Sequence, residues 1–555
     1  MRCLCLVVIV FFAGCYGGLQ DIDRRAESYM AETSGSFGEN HPSVQLNPIE
    51  PSTASLIDTS PTTVNPPVEK LGFLPAGDLD KEKIAADLDR AADVHSEQSE
   101  LLSLNKALSW ANKHAREMKF AEYDYLSSTL SLLSELHLWG PRFYNTVSTD
   151  LTAESDGGLY DTSLDVVNDF SISHKLANGG SVSANALTSF ARDLHSTTIA
   201  NSASSTLSVS MEIPLLKNSG AVARETLIQS KRDMVYAART FERFRRSFCA
   251  TIIGDYLSLV VQKQSLKNAQ RGVDSLKQLA KRQSALYESG RSRLYNSADA
   301  ENQALAAVAR LSQSWESFRL ALDRFKIRIG WPIDSQIQVE ATSLGLFPPD
   351  VSVSNAVIDA LQFRMDLQNE RDRVVDTRRG IKNALNALLP DVSLTASAST
   401  DSQIDKPVKF GGEEIDYLAG ISISLPLDTE VERIAVRQQQ IALEKANRNY
   451  RESRDGVAVE VRSALRNIEL YQFTLDLQER NVSIAQLGLD SINADPDRVS
   501  VLDQTRAISD LQSARDARDG AIKDLELSII DYLLQAGRLR IGVNGELLIT
   551  VSETE

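Results

Sequence analysis

Phe241-Glu242-Arg243-Phe244-Arg245-Arg246-Ser247-Phe248-Cys249-Ala250-Thr251-Ile252-Ile253-Gly254-Asp255-Tyr256 lies within a run, Ser219 to Ser289, that contains no proline. Between Pro214 and Pro332 the strongest helix breaker is missing altogether. Phe241, Phe244, Phe248, Ile252, Tyr256, Leu259, Leu266, Val273, Leu276 and Leu279 recur mostly at steps of three and four. That spacing places one apolar stripe along a single long helix. At 1.5 Å per residue the run is roughly 100 Å long, so the helix is expected to line an elongated assembly. Phe241, Phe244, Phe248, Ile252 and Tyr256 are the expected seam against a neighbouring helix. Arg243, Arg245 and Arg246 read as a charged stripe beside it.

Composition supports long helices. Of 555 residues, 42% are apolar and 24% charged, while only 6% are aromatic and 28 are glycine. The formal net charge of −16 argues against nucleic acid or an anionic membrane surface as partner.

Met1-Arg2-Cys3-Leu4-Cys5 opens a segment with one positive charge and then about eleven apolar residues, the pattern of a secretory signal rather than a spanning helix. Phe12-Ala13-Gly14-Cys15 resembles the lipobox of bacterial lipoproteins, with Phe12 where Leu is usual, and marks Cys15 as a lipidation candidate. The alternative is a plain signal peptide with a chance cysteine. Residues 1–14 are thus read as a signal peptide, and 15–80 as a disordered Pro/Ser/Thr-rich tether carrying Pro42, Pro48, Pro51, Pro61, Pro66, Pro67 and Pro75. Cys249, alone on the long helix, reads as a small buried residue. No other stretch has 18 consecutive apolar residues, so a mature chain that crossed a membrane would do so as a closed β-barrel.

The other prolines fall mostly at joints and expose an internal duplication. Ala111 to Pro141 and Ala360 to Pro390 are equally long helix-like runs ending in proline. Leu207–Leu215 and Ala419–Leu427 match as strands, each followed by a long helix, a turn and a returning helix. The first turn falls at Ser289-Gly290-Arg291, the second at Ala494-Asp495-Pro496-Asp497. The first repeat is assigned to residues 81–341, the second to 342–541, and a C-terminal tail to 542–555.

Val392, Leu394, Ala396 and Ala398 alternate with Ser393, Thr395, Ser397 and Ser399, and Tyr417 to Leu425 alternates likewise. Runs of about ten residues fit outer-membrane strands, apolar outward and polar inward. A half-buried sheet of a soluble domain shows the same alternation. Two such strands per half cannot close a barrel alone, so closure requires several chains. A surplus hairpin, Asp169 to Lys175 and Ser181 to Phe190, is left as either wall or external loop.

The chain resembles the TolC family of outer-membrane efflux proteins. The likeness rests on the Leu104-to-Pro141 and Ala356-to-Pro390 helices, and on the strand ends Ile213-Pro214-Leu215 and Leu425-Pro426-Leu427. Gly290 with Ser297 and Asp299, Val501-Leu502-Asp503 and Ile329-Gly330-Trp331-Pro332 complete it. It implies a mainly α fold, in which long helical hairpins form an α-barrel and antiparallel strands a membrane β-barrel. The halves are duplicated, and trimerisation closes a 12-stranded barrel. It implies a homotrimer in the outer membrane of a Gram-negative-type bacterium, extending into the periplasm. Its partners would be a membrane-fusion adaptor and an inner-membrane pump, in a tripartite efflux or type I secretion system. The turns holding Gly290 and Asp495, Pro496 and Asp497 would form the tunnel entrance and docking tip. Asp495 and Asp497 could ring the pore with negative charge, or Asp497 could simply cap the returning helix.

The rival reading is a lipid-tethered periplasmic coiled-coil scaffold or adaptor without a channel. Nothing points to an enzyme. His41, His95, His114, His137, His174 and His195 show no metal-ligand spacing, and no nucleophile elbow, phosphate loop or dinucleotide fingerprint occurs. No cofactor is expected.

Overall fold

The computed structural model describes residues 19–35, 100–156, 159–193, 201–341, 344–403, 406–494, 499–543 and 545–548. The chain divides into two compact units. The first comprises Met1–Tyr123, Phe241–Met365 and Asp455–Glu555, and the second Asp124–Thr240 and Asp366–Arg454.

The elements follow the duplication. Helix α1 (Leu19–Gly35) precedes strand β1 (Glu100–Leu102), helices α2 (Leu104–His114) and α3 (Arg116–Leu138), and four strands. These are β2 (Arg142–Asp156), β3 (Leu159–Lys175), β4 (Ser181–Asp193) and β5 (Asn201–Pro214). Helix α4 (Glu225–Glu288), helix α5 (Leu294–Ile329) and strand β6 (Ile337–Val339) end the first half. The second half has α6 (Val353–Phe363), α7 (Met365–Asn386), β7 (Asp391–Gln403), β8 (Lys406–Ser424), α8 (Glu430–Ala494) and α9 (Val501–Gln535). The two long helices hold 64 and 65 residues, each about 97 Å of helix.

Three expectations need correction. The segment read as a disordered tether contains α1, because every proline in it lies beyond Gly35 while Arg24, Arg25, Ala26 and Glu27 are good helix formers. The rest of that tether lies outside the described residues. The helices expected from Leu104 to Pro141 and from Ala356 to Pro390 are each interrupted once, at Ala115 and at Arg364, both in extended backbone. The cause is tertiary packing within the first unit. Gly330 ends α5 at φ 73°, and a Cβ there would sit 2.4 Å from the His114 carbonyl oxygen. Gly537, at φ 71°, abuts Phe363 and Arg364 in the same way, with its Cβ position 3.0 Å from the Phe363 carbonyl carbon. The returning helix of each half thus needs a glycine end to reach the break in the preceding one. Ser103 and Ser352 cap α2 and α6 by the same side-chain acceptance, so the duplication extends to hydrogen bonds.

The third correction concerns the charged stripe. Arg245, Arg246 and Glu242 are buried, not solvated. Glu242 accepts from both guanidiniums, Arg245 also donates to the Ile541 and Gly542 carbonyls, and Arg246 to the Gly537 carbonyl. Charge in a core is tolerated only when paired and saturated with hydrogen bonds, as here.

The core of the first unit gathers on α4. Ile252, Ile253 and Tyr256 are fully enclosed. The Tyr256 hydroxyl lies 2.9 Å from the carbonyl oxygens of both Leu102 and Glu340. It thereby tethers the parallel pair β1–β6, registered Glu100 with Ile337 and Leu102 with Val339. Burial pushes the Tyr256 hydroxyl up to about 12 and the Cys249 thiol also to about 12.

Candidate functional site

In the second unit six strands form one antiparallel sheet in the order β2-β3-β4-β5-β7-β8. The sheet therefore includes the surplus hairpin, β3–β4, and has six strands where the resemblance implies four. It ties the repeats together through β5 and β7, registered from Thr206 with Asp401 to Pro214 with Ser393.

Cross-strand partners point to one face, so the register sorts every side chain. Phe143 pairs with Ile172, Ile172 with Ala184, Ala184 with Val209, Val209 with Ala398 and Ala398 with Tyr417. One unbroken apolar row thus crosses all six strands. The opposite face carries Asp150, Asp165, Asp169, Glu212 and rows of serine and threonine. There the hydroxyls bond across the ladder: Thr152 with Ser163 at 2.6 Å, Ser183 with Ser210 at 2.7 Å, Ser189 with Ser204 at 2.7 Å, and Thr206 with Asp401 at 2.6 Å. The apolar face is most open on β2, β5 and β8, where Phe143 is 61% exposed, Val209 51% and Tyr417 77%, and it is half-buried on β3, β4 and β7. So many exposed apolar side chains on one sheet face mark an interaction surface.

Sequence reading missed β2 as a strand of its own, because Asn145 and Thr149 interrupt its apolar row. It also underestimated β3, which begins at Leu159 rather than Asp169. The hairpin turn, Leu176–Gly180, is held in place: Gly220 N–H donates to the Asn178 carbonyl at 2.8 Å, and a Cβ on Gly179 would meet the Asn218 carbonyl oxygen at 2.5 Å.

A polar seam joins α4 to α7 inside the same unit. Glu225, Gln229, Arg232, Tyr236 and Arg239 recur at alternating steps of four and three on α4, as do Asn369, Asp372, Asp376 and Arg379 on α7. That is the coiled-coil interval, filled here with charge rather than leucine. Arg379 holds both Glu225 oxygens at 2.8 and 2.9 Å and donates to Gln229 at 2.8 Å. Arg239 holds Asp372 at 2.7 Å, and the Tyr236 hydroxyl donates to Asp376 at 2.5 Å. Burial, together with that hydrogen bond, raises the Tyr236 pKa well above its usual range. The spacing is visible in sequence, but it is carried by charged and polar residues rather than by an apolar stripe.

Of the residues singled out in sequence, Phe241, Phe248, Ile252 and Tyr256 are buried and Phe244 is half-buried, its ring 5.8 Å from that of Phe248. Gly290 takes φ 71° in the exposed turn between α4 and α5. Cys15, Asp495, Pro496 and Asp497 lie outside the described residues. Among the described residues no helix is long and apolar enough to cross a membrane, and no cluster of three or more His, Cys, Asp or Glu could hold a metal.

Residues 357–518 match the family model described as "Outer membrane efflux protein". Solved structures share the fold at low identity. The Campylobacter jejuni CmeC outer membrane channel is 16% identical with a TM-score of 0.60, over 78% of this chain and 85% of its own. VceC, an outer membrane protein of Vibrio cholerae, is 15% identical with a TM-score of 0.60, over 78% and 96%. The open-state MtrE outer membrane channel of Neisseria gonorrhoeae is 15% identical with a TM-score of 0.57, over 78% and 88%. No curated protein sequence matches the chain.

Proposed function

We propose that this chain, which carries an outer membrane efflux protein domain over residues 357–518, is one protomer of a homotrimeric outer-membrane efflux channel. One observation carries the reading: an apolar row continuous over six strands, exposed on β2, β5 and β8 and half-buried on β3, β4 and β7, opposite a face rich in carboxylates and hydroxyls. Lipid on one side and water on the other is the environment that such a sheet needs. A periplasmic scaffold would leave the apolar face in water, and the rival reading supplies nothing to cover it. The helices α4, α5, α8 and α9 would then line the periplasmic tunnel. A membrane-fusion adaptor and an inner-membrane pump would dock at their far turns and supply the energy, while the channel conducts passively. Fractionation should place the full chain in the outer membrane as an SDS-resistant oligomer that falls to monomer on heating. A soluble monomer would overturn the reading.

Two finer assignments belong to it. Cys15 would carry the lipid anchor, and Cys15→Ser should abolish metabolic labelling by palmitate; persistent labelling refutes the assignment. Asp495 and Asp497 would each occur three times around the entrance and favour cations. Asn caps a helix about as well as Asp but carries no charge. The double change Asp495→Asn, Asp497→Asn should therefore lower cation selectivity in planar bilayers at unchanged stability. Selectivity identical to that of the unmodified channel leaves capping as their role.

A further inference from the structure

The sheet is open at both ends. Among the described residues β2 pairs only with β3, and β8 only with β7, so each presents one side of unpaired backbone N–H and C=O groups. We propose that β8 of each copy pairs with β2 of the next, so that three copies of this six-stranded sheet close one barrel of eighteen strands. The inference rests on the trimeric channel reading above and departs from the twelve strands that the resemblance implies.

Strand direction permits this closure. All five pairings within the sheet are antiparallel, so directions alternate from β2 to β8 and the two edges run oppositely. A neighbouring β2 therefore meets β8 antiparallel, as a closed up-and-down barrel requires. The devices that usually block pairing gather toward the ends of each edge: Lys406, Pro407 and Lys409 precede Ile415 on β8, and Glu154 and Asp156 end β2. This leaves Ile415–Ser424 and Phe143–Thr149 free of proline and charge apart from Asp416.

The surplus hairpin has the chemistry of wall rather than of an external flap. Val166, Phe170 and Ile172 of β3 pair with Phe190, Ala186 and Ala184 of β4 and continue the apolar row of β2 and β5. Asp165, Asp169 and Ser171 fall on the polar face. β3 and β4 stay paired over Ser163–Lys175, 13 residues, more than the roughly 9–11 that cross a bilayer. A flap in water has no reason to keep that alternation in phase with its neighbours.

The consequence is width. With strands about 4.8 Å apart and tilted about 40°, eighteen strands give a backbone diameter of about 36 Å, against about 24 Å for twelve. The outer-membrane portion would then have a backbone cylinder about 1.5-fold wider than that of a twelve-stranded barrel.

The test uses the full chain purified from outer membranes. Native mass measurement gives the copy number, and cryo-electron microscopy in lipid nanodiscs gives the barrel diameter. A trimer with a barrel about 1.5-fold wider than twelve strands allow supports the proposal. A trimer with a barrel of about 24 Å overturns it while leaving the channel reading intact, whereas a monomer overturns the channel reading itself. A second measurement places the hairpin independently of imaging. In Phe170→Cys, lipid burial predicts that intact cells resist a water-soluble maleimide and that the site labels with a lipophilic probe. Rapid maleimide labelling puts the hairpin in water and overturns the proposal. Cysteine pairs that combine Phe143, Val147 or Leu151 with Tyr417 or Ile421 should include one that forms disulfide-linked ladders ending at trimer. Cys249 is buried and should not contribute; the absence of any ladder overturns the edge pairing.

Discussion

Replacing Gly330 by alanine tests how α5 is joined to the α2–α3 break within the first unit. Gly330 sits at φ 73°, where a Cβ costs about 1–2 kcal/mol by conformation alone. Its Cβ would also lie 2.4 Å from the His114 carbonyl oxygen and 2.7 Å from the carbonyl carbon. Both are backbone atoms, so the α2–α3 break must move as a body, which adds about 1–3 kcal/mol. Gly290 separates the two effects, because its φ of 71° is nearly the same but nothing lies within 4 Å of its Cβ position. Gly537 is intermediate, with φ 71° and its nearest atom at 3.0 Å. Stability should fall in the order Gly290→Ala, Gly537→Ala, Gly330→Ala, by about 1–2 kcal/mol for the first and about 2–5 for the last. Tryptophan fluorescence reports the junction directly, since Trp110 Nε1 donates to the Gly330 carbonyl at 3.3 Å and its ring lies 4.4 Å from Trp331. In thermal melts followed by that signal, Gly330→Ala should melt about 3–7 °C lower. Equal losses for Gly290→Ala and Gly330→Ala would refute the claim that close backbone approach sets the break at Ala115.

Phe248→Asp puts a carboxylate at a buried position on α4. It should cost several kcal/mol if the group stays charged, and the yield of SDS-resistant oligomer measures that loss. For Cys249, burial raises the thiol from 9.0 to about 12, so the folded chain retains a proton that the unfolded chain releases. This contribution to stability is fully present below about pH 9 and is lost as pH rises toward about 12. A disulfide exchange reagent at pH 8 should leave Cys249 unmodified until denaturant is added, and fast labelling of the native chain would contradict its burial.

Much of this architecture was legible because helices and membrane strands write their periods into sequence. The proline-free run holding Phe248 and Ile252 marked α4, and the matched Pro141 and Pro390 marked the duplication. The alternation around Ile421 marked β8. What escaped depends on distant partners. The breaks at Ala115 and Arg364 carry no proline and arise only because Gly330 and Gly537 arrive from more than a hundred residues away. Arg245 read only as part of a charged stripe, because the carbonyls of Ile541 and Gly542 that saturate it lie almost three hundred residues away. The seam of Arg232, Tyr236, Arg239 and Arg379 was readable in principle, since its spacing is that of a coiled coil, but charged residues at such positions are ordinarily taken for surface. In the candidate sheet, the hairpin at Asp169 to Phe190 was visible as strands, while its membership of the same sheet depended on register.

The single pairing of β5 with β7 also sets the order in which the sheet can form. β2 through β5 are joined by short connections and can meander together as soon as they are made, as can β7 with β8. Thr206 and Asp401 meet across 195 residues of chain, so that seam must wait for α4, α5, α6 and α7 to be synthesised. Closing so long a loop is entropically costly, and non-local strand pairing is slow. During that wait the apolar row of the first four strands is exposed, with two raw edges. On the proposed channel reading, periplasmic holding chaperones should be needed most during the interval between the emergence of β5 and the arrival of β7, and a chain truncated after Pro214 should be the most aggregation-prone fragment of this protein.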